Sequence, residues 1–286
     1  MGLSLKVYEH LVCPDCRTRL VETERGMWGC ANGHNFREAN GVLVLRSDLD
    51  LHPVFPQGGD GSIEVEELMA SDGILGLLKK VIGTNYVPYG FNPQELIQPG
   101  DLVLNLGSGV ADGNSPSMVN LDYFLFPFVD IVADAHNIPF EDSFFDVVLS
   151  EFMIEHVEDP FRVCSEMSRV LKPGGTLYVS YPFVHPYHSF PNDYFRFTHS
   201  GLQAMFADME VIREGPLTGP ACRWIGATAD IFTFWIKVAK VRIAVRALIL
   251  ALLSPMRFLD LAFNRLPESK CHAVTLFSIL RKKGTE

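Results

Sequence analysis

The sequence lacks several features that would place it in common classes of protein. Its 286 residues hold 24 Lys and Arg against 34 Asp and Glu, and this formal charge of −10 argues against a dedicated nucleic-acid surface, which is usually basic. The first ten residues lack the long apolar run of a secretory signal. Internal repeats and low-complexity tracts are absent, and 48% of the residues are hydrophobic, so we expect a folded chain with a substantial core.

Cysteine is scarce and unevenly placed. Three of the six cysteines fall in the first thirty residues, and the other three are scattered. That distribution differs from the even framework of a small disulfide-bonded secreted protein, so we expect a reducing, cytoplasmic location.

The clustered cysteines have the spacing of a metal site. Cys13-Pro-Asp-Cys16 is followed by Cys30-Ala-Asn-Gly-His34. A Cys-x-x-Cys turn places two thiolates on one ion, and a second turn completes a tetrahedron. We predict a closed structural zinc site formed by Cys13, Cys16, Cys30 and His34 in a small module over residues 1–45; a reduced, metal-free module is the alternative.

The rest of the chain divides into a linker and a large domain. Residues 46–99 contain Pro and Gly turn signals followed by a predicted helix over 63–82. Residues 100–286 alternate short apolar runs with helical patterns, which predicts an α/β domain built on a mostly parallel, doubly wound sheet with an antiparallel last strand. The predicted strands are Leu102–Leu106, Met118–Leu121, Val129–Ala133, Phe145–Leu149, Thr176–Tyr181, Met209–Arg213 and Ala273–Leu280, with a helix over Pro160–Leu171.

Polar groups follow the first three of these strands. The first leads into a Gly-x-Gly turn at Gly107 and Gly109, where the missing Cβ lets a ligand approach the backbone. The second and third end at Asp122 and Asp134. Since parallel strands end at one edge of a sheet, we expect these groups to share one ligand crevice.

The ordered motifs between residues 101 and 181 resemble those of class I methyltransferases that use S-adenosylmethionine (SAM). They are Leu-Asn-Leu-Gly-Ser-Gly, Val-Asn-Leu-Asp, Ala-Asp-Ala, Ile-Pro-Phe-Glu-Asp-Ser-Phe-Phe-Asp-Val-Val and Val-Leu-Lys-Pro-Gly-Gly-Thr-Leu. An NAD-dependent dehydrogenase is the rival, and the Lys-Pro-Gly-Gly element weighs against it. Two departures occur: Asp112 replaces the third glycine of Gly-x-Gly-x-x-Gly, and only twelve residues separate Gly109 from Asp122, so the first helix is expected to be short or lost.

The resemblance implies a Rossmann-like fold and a set of cofactor contacts. Gly107 and Gly109 would face the methionine part of SAM, and Asp122 would hold the ribose. Asp134, with Ala135, would reach the adenine, and Ser150 and Glu151 would line the pocket. The cysteine module resembles zinc-ribbon-like proteins that accompany or precede methyltransferases, including rRNA guanine methyltransferases.

A proline-rich loop after the fifth strand carries the candidate catalytic groups. His185 or His188 is the candidate base, Asp193 could orient it, and Arg196 could clamp an anion. The alternative is that these groups only hydrogen-bond one another to fix the loop. His156, after the fourth strand, is a further candidate or equally a structural histidine near a helix start. The Asp/Asn-Pro-Pro-Tyr signature of base-amino methyltransferases is missing.

An apolar insertion over about residues 217–266 lies between the last two predicted strands. Its longest uncharged stretch, Ala247–Met256, is half a bilayer span, so a transmembrane helix is not expected. Residues 237–286 hold ten Lys or Arg and three acids, a net charge of +7, against −17 for residues 1–236. Two interpretations remain open for residues 225–263: an in-plane membrane anchor beside a lipid-linked substrate, or a buried lid and homodimer helix pair.

Together these features predict a SAM-dependent methyltransferase that acts on a hydroxyl or amine of a small molecule, sugar or lipid-linked glycan. An rRNA or tRNA methyltransferase and a non-catalytic SAM-binding scaffold are the alternatives, with nucleic acid disfavoured by the acidic body.

Overall fold

The computed structural model describes residues 5–39, 41–46, 91–110, 117–188 and 192–284. The helix predicted over 63–82, and residues 111–116 of the segment between Gly109 and Asp122, lie outside these ranges.

The described residues form one sheet of eleven strands with helices between them. The strands are β1 Leu20–Glu24, β2 Met27–Cys30, β3 Asn35–Ala39, β4 Val42–Val44, β5 Val103–Leu106, β6 Met118–Asp122, β7 Ile131–Val132, β8 Phe145–Glu151, β9 Leu171–Pro182, β10 Met209–Thr218 and β11 Thr275–Lys282. The helices are α1 Leu5–Tyr8, α2 Pro160–Val170, α3 His199–Met205, α4 Pro220–Thr233, α5 Ala239–Leu253 and α6 Asp260–Phe263.

The strand order confirms the predicted fold class. The order across the sheet is β1-β2-β3-β4-β7-β6-β5-β8-β9-β11-β10. Neighbours from β4 to β9 are parallel, whereas β11 is antiparallel to both β9 and β10. The chain runs outward in one direction from β5 to β7 and in the other from β8, so β5 and β8 flank the point where such sheets open a ligand crevice.

The cysteine-bearing hairpins join this sheet directly. β1 to β4 are antiparallel to one another, and β4 then pairs in parallel with β7 through Leu43 opposite Ile131. The Leu45 N–H donates to the Val132 carbonyl at 2.9 Å. The Arg17 guanidinium adds hydrogen bonds to the carbonyls of Ile138 and Phe140. The module therefore extends the edge of the larger sheet.

Helix α2 illustrates why the core elements form where the sequence predicts them. The Asp159 carboxylate caps its first turn by accepting from the Arg162 N–H, and Pro160 occupies the first turn, where a missing N–H costs little. Its apolar positions recur every three or four residues, and Val163 and Met167 are fully buried. The helix covers one face of the sheet beside β8 and β9.

The insertion forms a helical hairpin from α4 and α5, continued by the short α6. The Asp260 carboxylate is buried and accepts from the N–H groups of Ala221 and Cys222 at the start of α4. Among the described residues no helix has both the length and the apolar character needed to cross a membrane.

Candidate functional site

The glycine turn after β5 is held in a conformation that needs glycine. Gly107 has φ +73° and Gly109 has φ +56°, both in the left-handed region. The Gly107 N–H donates to the Leu121 carbonyl of β6 at 2.8 Å. A Cβ on Gly107 would lie 2.5 Å from Cγ of Met153, whereas a Cβ on Gly109 would meet nothing described within 4 Å. Gly107 is thus required by packing as well as by backbone conformation.

Asp122 links the tip of β6 to the glycine turn. Its side chain is buried, and its two oxygens accept from the Gly109 N–H at 2.8 Å and the Phe124 N–H at 2.9 Å. Burial raises the pKa of Asp122, and these backbone N–H groups oppose the rise. Each oxygen keeps a lone pair, so the predicted contact with a ribose hydroxyl stays compatible with this geometry.

Asp134 follows β7 and caps a short 3₁₀ turn over Ala135–Asn137. Its Oδ1 accepts from the His136 backbone N–H at 2.9 Å and lies 2.6 Å from His136 Nδ1. Asp134 and Ala135 are partly exposed at the same edge of the sheet as Asp122. Their predicted contact with adenine remains a prediction.

Ser150 and Glu151 lie at the end of β8, the strand that pairs with β5. Ser150 Oγ is fully buried and has no hydrogen-bond partner among the described residues. Glu151 is exposed to a cavity, yet desolvation by the surrounding protein raises the pKa of its carboxyl. The cavity has a volume of about 510 Å³. It is lined by Phe91, Asn92, Pro93, Gln94, Glu151, Phe152, Pro182, His185, His188, Leu217, Thr218 and Thr275.

The structure brings together all four candidate residues of the proline-rich loop. Asp193 is almost fully buried and accepts a two-pronged ion pair from Arg196, which holds the pKa of Asp193 at about 2. The same carboxylate accepts from the His188 N–H at 2.8 Å. Arg196 also donates to the Pro186 carbonyl at 3.0 Å. Much of the donor capacity of Arg196 is therefore used within the loop. This agrees with the alternative stated from the sequence, in which the loop residues hydrogen-bond one another to fix the loop.

The two loop histidines differ in environment. His185 lies on the cavity wall and Nδ1 donates to the Pro186 carbonyl at 2.8 Å, which leaves the Nε2 lone pair unused by the described residues. Burial lowers the pKa of His185, so its neutral form is favoured. In contrast, the Glu155 carboxylate raises the pKa of His188, whose Nδ1 lies 3.3 Å from Asp193 Oδ2.

Sequence reasoning assigned no role to Glu155 and left His156 open between a candidate and a structural histidine. Glu155 is 0% exposed, and neither carboxylate oxygen has a hydrogen-bond partner in the described part of the chain. Its Oε1 lies 3.7 Å from Nε2 of His156 and 3.7 Å from Nε2 of His188. The available signal was an acid next to a histidine just past the tip of β8, where side chains approach the ligand crevice.

The four predicted zinc ligands also meet. Cys13 Sγ and Cys30 Sγ each lie 3.4 Å from His34 Nδ1, and the Sγ atoms of Cys16 and Cys30 are 3.6 Å apart. Tetrahedral zinc with bonds of about 2.0–2.3 Å requires ligand separations of about 3.3–3.8 Å, so this donor set fits zinc. Thr18 donates to Cys16 Sγ and lowers the pKa of that thiol to about 6, which favours the thiolate that a metal binds.

The central part of the chain is similar to known methyltransferases. Residues 114–179 match the family model of a methyltransferase domain. A demethylmenaquinone methyltransferase of Renibacterium salmoninarum is 36% identical over 104 residues, which cover 31% of this chain and 44% of that protein. An uncharacterized methyltransferase of Mycobacterium sp. (strain KMS) is 47% identical over 49 residues, or 17% of this chain and 19% of that protein.

The matches with these curated relatives thus span less than half of the relatives' own length. Among solved structures, a complex of the Haloferax volcanii Trm112 methyltransferase activator with a methyltransferase contains a chain with 18% identity and a TM-score of 0.41. That match covers 66% of this chain and 85% of the other.

Proposed function

We propose that this chain, which carries a class I SAM-dependent methyltransferase domain, transfers the methyl group of SAM to a hydroxyl or amine of a small molecule, sugar or lipid-linked glycan. One observation carries the proposal. The glycine turn, the strand-tip carboxylates of Asp122 and Asp134, and the cavity walled by His185 all lie at the carboxyl edge of the sheet, around the point where strand order reverses.

The cofactor side of this edge suits SAM. The turn of Gly107 and Gly109, in which Met153 covers Gly107 while Gly109 is open among the described residues, would accept the methionine part. Asp122 would bind the ribose hydroxyls, and Asp134 with Ala135 the adenine, next to Ser150. SAM supplies an activated methyl group on a sulfonium, so the protein mainly needs to align an acceptor with it.

The acceptor side supplies a base. His185 faces the cavity with an Nε2 lone pair that no described residue uses, and burial favours its neutral form, so it can take a proton from a hydroxyl or ammonium group as the methyl is transferred. The Asp193–Arg196 ion pair is a positioning contact, because it fixes the backbone on which both loop histidines stand. Glu151, across the cavity, can accept a hydrogen bond from a polar acceptor.

The helical hairpin favours an acceptor held at a membrane surface. Phe234 and Trp235, between α4 and α5, are 78% and 80% exposed, and many further apolar side chains of the hairpin are exposed. Those further side chains are Trp224, Ile231, Phe232, Val238, Val241, Ile243, Leu248 and Leu252. A monomer in water rarely leaves such a surface uncovered.

The positive charge of the hairpin favours a lipid surface, rather than a second copy of the chain, as the partner of these apolar side chains. Residues 231–259 contain no acid, and Lys237, Lys240 and Arg242 are exposed beside the apolar side chains. Two identical hairpins packed about a twofold axis would bring like charges together, whereas anionic headgroups would neutralise them. Aromatic side chains flanked by lysine are typical of a helix that lies in the membrane interface.

Methyl transfer is tested with the full chain, methyl-labelled SAM and a cell lysate separated into lipid, small-molecule, RNA and protein fractions. We expect label in the lipid or small-molecule fraction. Asp122→Asn should abolish it, whereas Asp130→Asn should retain it. The control is matched because Asp130 also accepts a backbone N–H, from Asn120, but stands before β7 rather than at the end of a strand. Label in RNA would overturn the substrate class and support the nucleic-acid alternative.

The base is tested by His185→Gln. We expect the rate of transfer to fall by about 10²–10⁴-fold with little change in SAM affinity. Unchanged transfer would remove His185 from the mechanism. SAM binding without transfer to any fraction would instead support the non-catalytic scaffold.

Membrane contact is tested by flotation of the full chain with phosphatidylcholine vesicles that do or do not contain phosphatidylglycerol. We expect binding to the anionic vesicles that weakens with salt and is lost in the Phe234→Ser, Trp235→Ser double variant. Phe161→Ser, on α2, is the matched control because Phe161 is 65% exposed but lies outside the hairpin. A soluble dimer that only the hairpin variant dissociates, with no flotation, would replace the lipid with a second copy.

A further inference from the structure

We propose that Glu155, His156 and His188 bind a divalent transition-metal ion at the wall of the cavity. The starting observation is the Glu155 carboxylate, which is completely buried and has no hydrogen-bond partner in the parts of the chain that the structure describes. An ionised group is costly to bury without a donor or a cation, so this carboxylate needs a partner. Two imidazole Nε2 atoms, those of His156 and His188, each lie 3.7 Å from Oε1.

Hydrogen-bond acceptors near Nδ1 of both rings favour the tautomer in which Nε2 carries a lone pair. His156 Nδ1 lies 2.5 Å from the Asn192 carbonyl oxygen, which can only accept, so the ring proton is on Nδ1. His188 Nδ1 lies 3.3 Å from Asp193 Oδ2 and 3.4 Å from the Pro186 carbonyl oxygen, and the Arg196 guanidinium donor is slightly farther away at 3.5 Å, so the closer acceptors favour a proton on Nδ1. With both rings neutral, two Nε2 lone pairs face the Glu155 carboxylate, an arrangement that a cation would stabilise; since Glu155 also raises the pKa of His188, a His188 imidazolium is the competing partner.

A metal ion resolves this arrangement. The three ligand atoms all lie within 4.8 Å of one another. Two imidazoles and a carboxylate bind zinc, and also ferrous iron or manganese, with bonds of about 2.0–2.2 Å. Tetrahedral zinc would require ligand separations of about 3.3 Å, so each Nε2 atom would have to move a few tenths of an ångström closer to Oε1 than its present 3.7 Å. The carbonyl of Asn192 and the carboxylate of Asp193 already orient the rings through Nδ1, as outer partners do in metal sites.

The position of the site suggests what the ion does. His188 lines the cavity, so an ion held by these three residues would lie beside the space proposed for the acceptor. An ion there would bind an acceptor oxygen and make its hydroxyl easier to deprotonate. Metal binding itself is independent of the proposed methyl transfer, because it is measured without SAM or acceptor.

Metal uptake by the full chain tests the site. Protein stripped with chelator is loaded with Zn²⁺, desalted and analysed for metal per chain. We expect Glu155→Gln and His188→Gln each to lose one equivalent relative to wild type, whatever the cysteine module retains. Glu158→Gln should lose none; this control removes a nearby carboxylate whose partner is the Tyr194 hydroxyl. Equal metal content in wild type and Glu155→Gln would overturn the proposal and leave an imidazolium as the partner of Glu155.

Co²⁺ provides a second measurement that does not depend on how the variants fold. Cobalt in the cysteine module gives thiolate-to-metal charge-transfer absorption, whereas cobalt bound by Glu155, His156 and His188 gives only ligand-field bands. We expect wild-type protein to take up a further equivalent of Co²⁺ after the thiolate bands saturate. A titration in which all bound cobalt follows the thiolate bands would refute the site.

Discussion

Alanine at the two glycines of the turn after β5 should separate packing from backbone strain. Both glycines have positive φ, so each alanine incurs a backbone cost of about 1–2 kcal/mol. At Gly107 the new Cβ would also lie 2.5 Å from Cγ and 2.7 Å from Cβ of Met153, and overpacking of this kind costs about 1–3 kcal/mol. We therefore expect the free energy of unfolding to fall by about 2–5 kcal/mol in Gly107→Ala and by about 1–2 kcal/mol in Gly109→Ala.

Urea unfolding followed by circular dichroism measures both values. Gly109 is the internal control, because no described atom lies within 4 Å of the position that its Cβ would take, and only the backbone cost remains. The effect of Gly107→Ala should also be measured in a Met153→Gly background. There the loss of unfolding free energy, relative to Met153→Gly alone, should fall to about the loss seen for Gly109→Ala. Equal losses in the two alanine variants, or no recovery in the double variant, would show that Met153 does not pack against Gly107.

Two further perturbations test the zinc module and the helical hairpin. Chelation of zinc, or Cys16→Ser, should unfold the hairpins around the buried Trp28 and shift the fluorescence of Trp28 to longer wavelength. Replacement of the exposed Cys271 by Ser, the control, should leave the hairpins folded and the fluorescence unchanged. Unchanged emission after zinc loss would show that the module folds without metal. Asp260→Asn should lower the free energy of unfolding by about 1–3 kcal/mol because one buried acceptor of a backbone N–H at the start of α4 becomes a donor. Asp230→Asn, which breaks a half-exposed ion pair, should cost less than about 1 kcal/mol, and urea unfolding that ranks them in the opposite order would refute this account.

The parallel core of the fold was predictable because its signals are local. Buried parallel strands are short apolar runs, and all seven runs predicted between residues 100 and 286 contain a strand. The start of α2 was equally clear, since Asp159 and Pro160 are typical N-terminal residues. The clustering of Cys13, Cys16, Cys30 and His34 could be predicted for the same reason, because their spacing within two turns nearly determines their geometry.

Features that depend on distant residues could not be predicted. The pairing of β4 with β7 joins segments almost ninety positions apart, and nothing in Val42–Val44 indicates its partner. Glu155 is separated from His188 by more than thirty residues, and a lone glutamate in a turn is usually a solvated one. The ion pair of Asp193 and Arg196 lies within one loop, but the sequence alone could not decide whether Arg196 faces Asp193 or a ligand.

The turn after β8 is the element through which the two halves of the site can influence each other. Met153 packs against Gly107 on the cofactor side, Glu155 contacts His188 on the acceptor side, and Glu151 faces the cavity. Between them Phe152 has φ +50°, an unfavourable value for an aromatic residue, and its N–H donates to the Ser180 carbonyl of β9. Strain of this kind persists only where surrounding contacts enforce it. A ligand that displaces Met153 from Gly107 would therefore act on the same turn that carries Glu155, the residue beside His188.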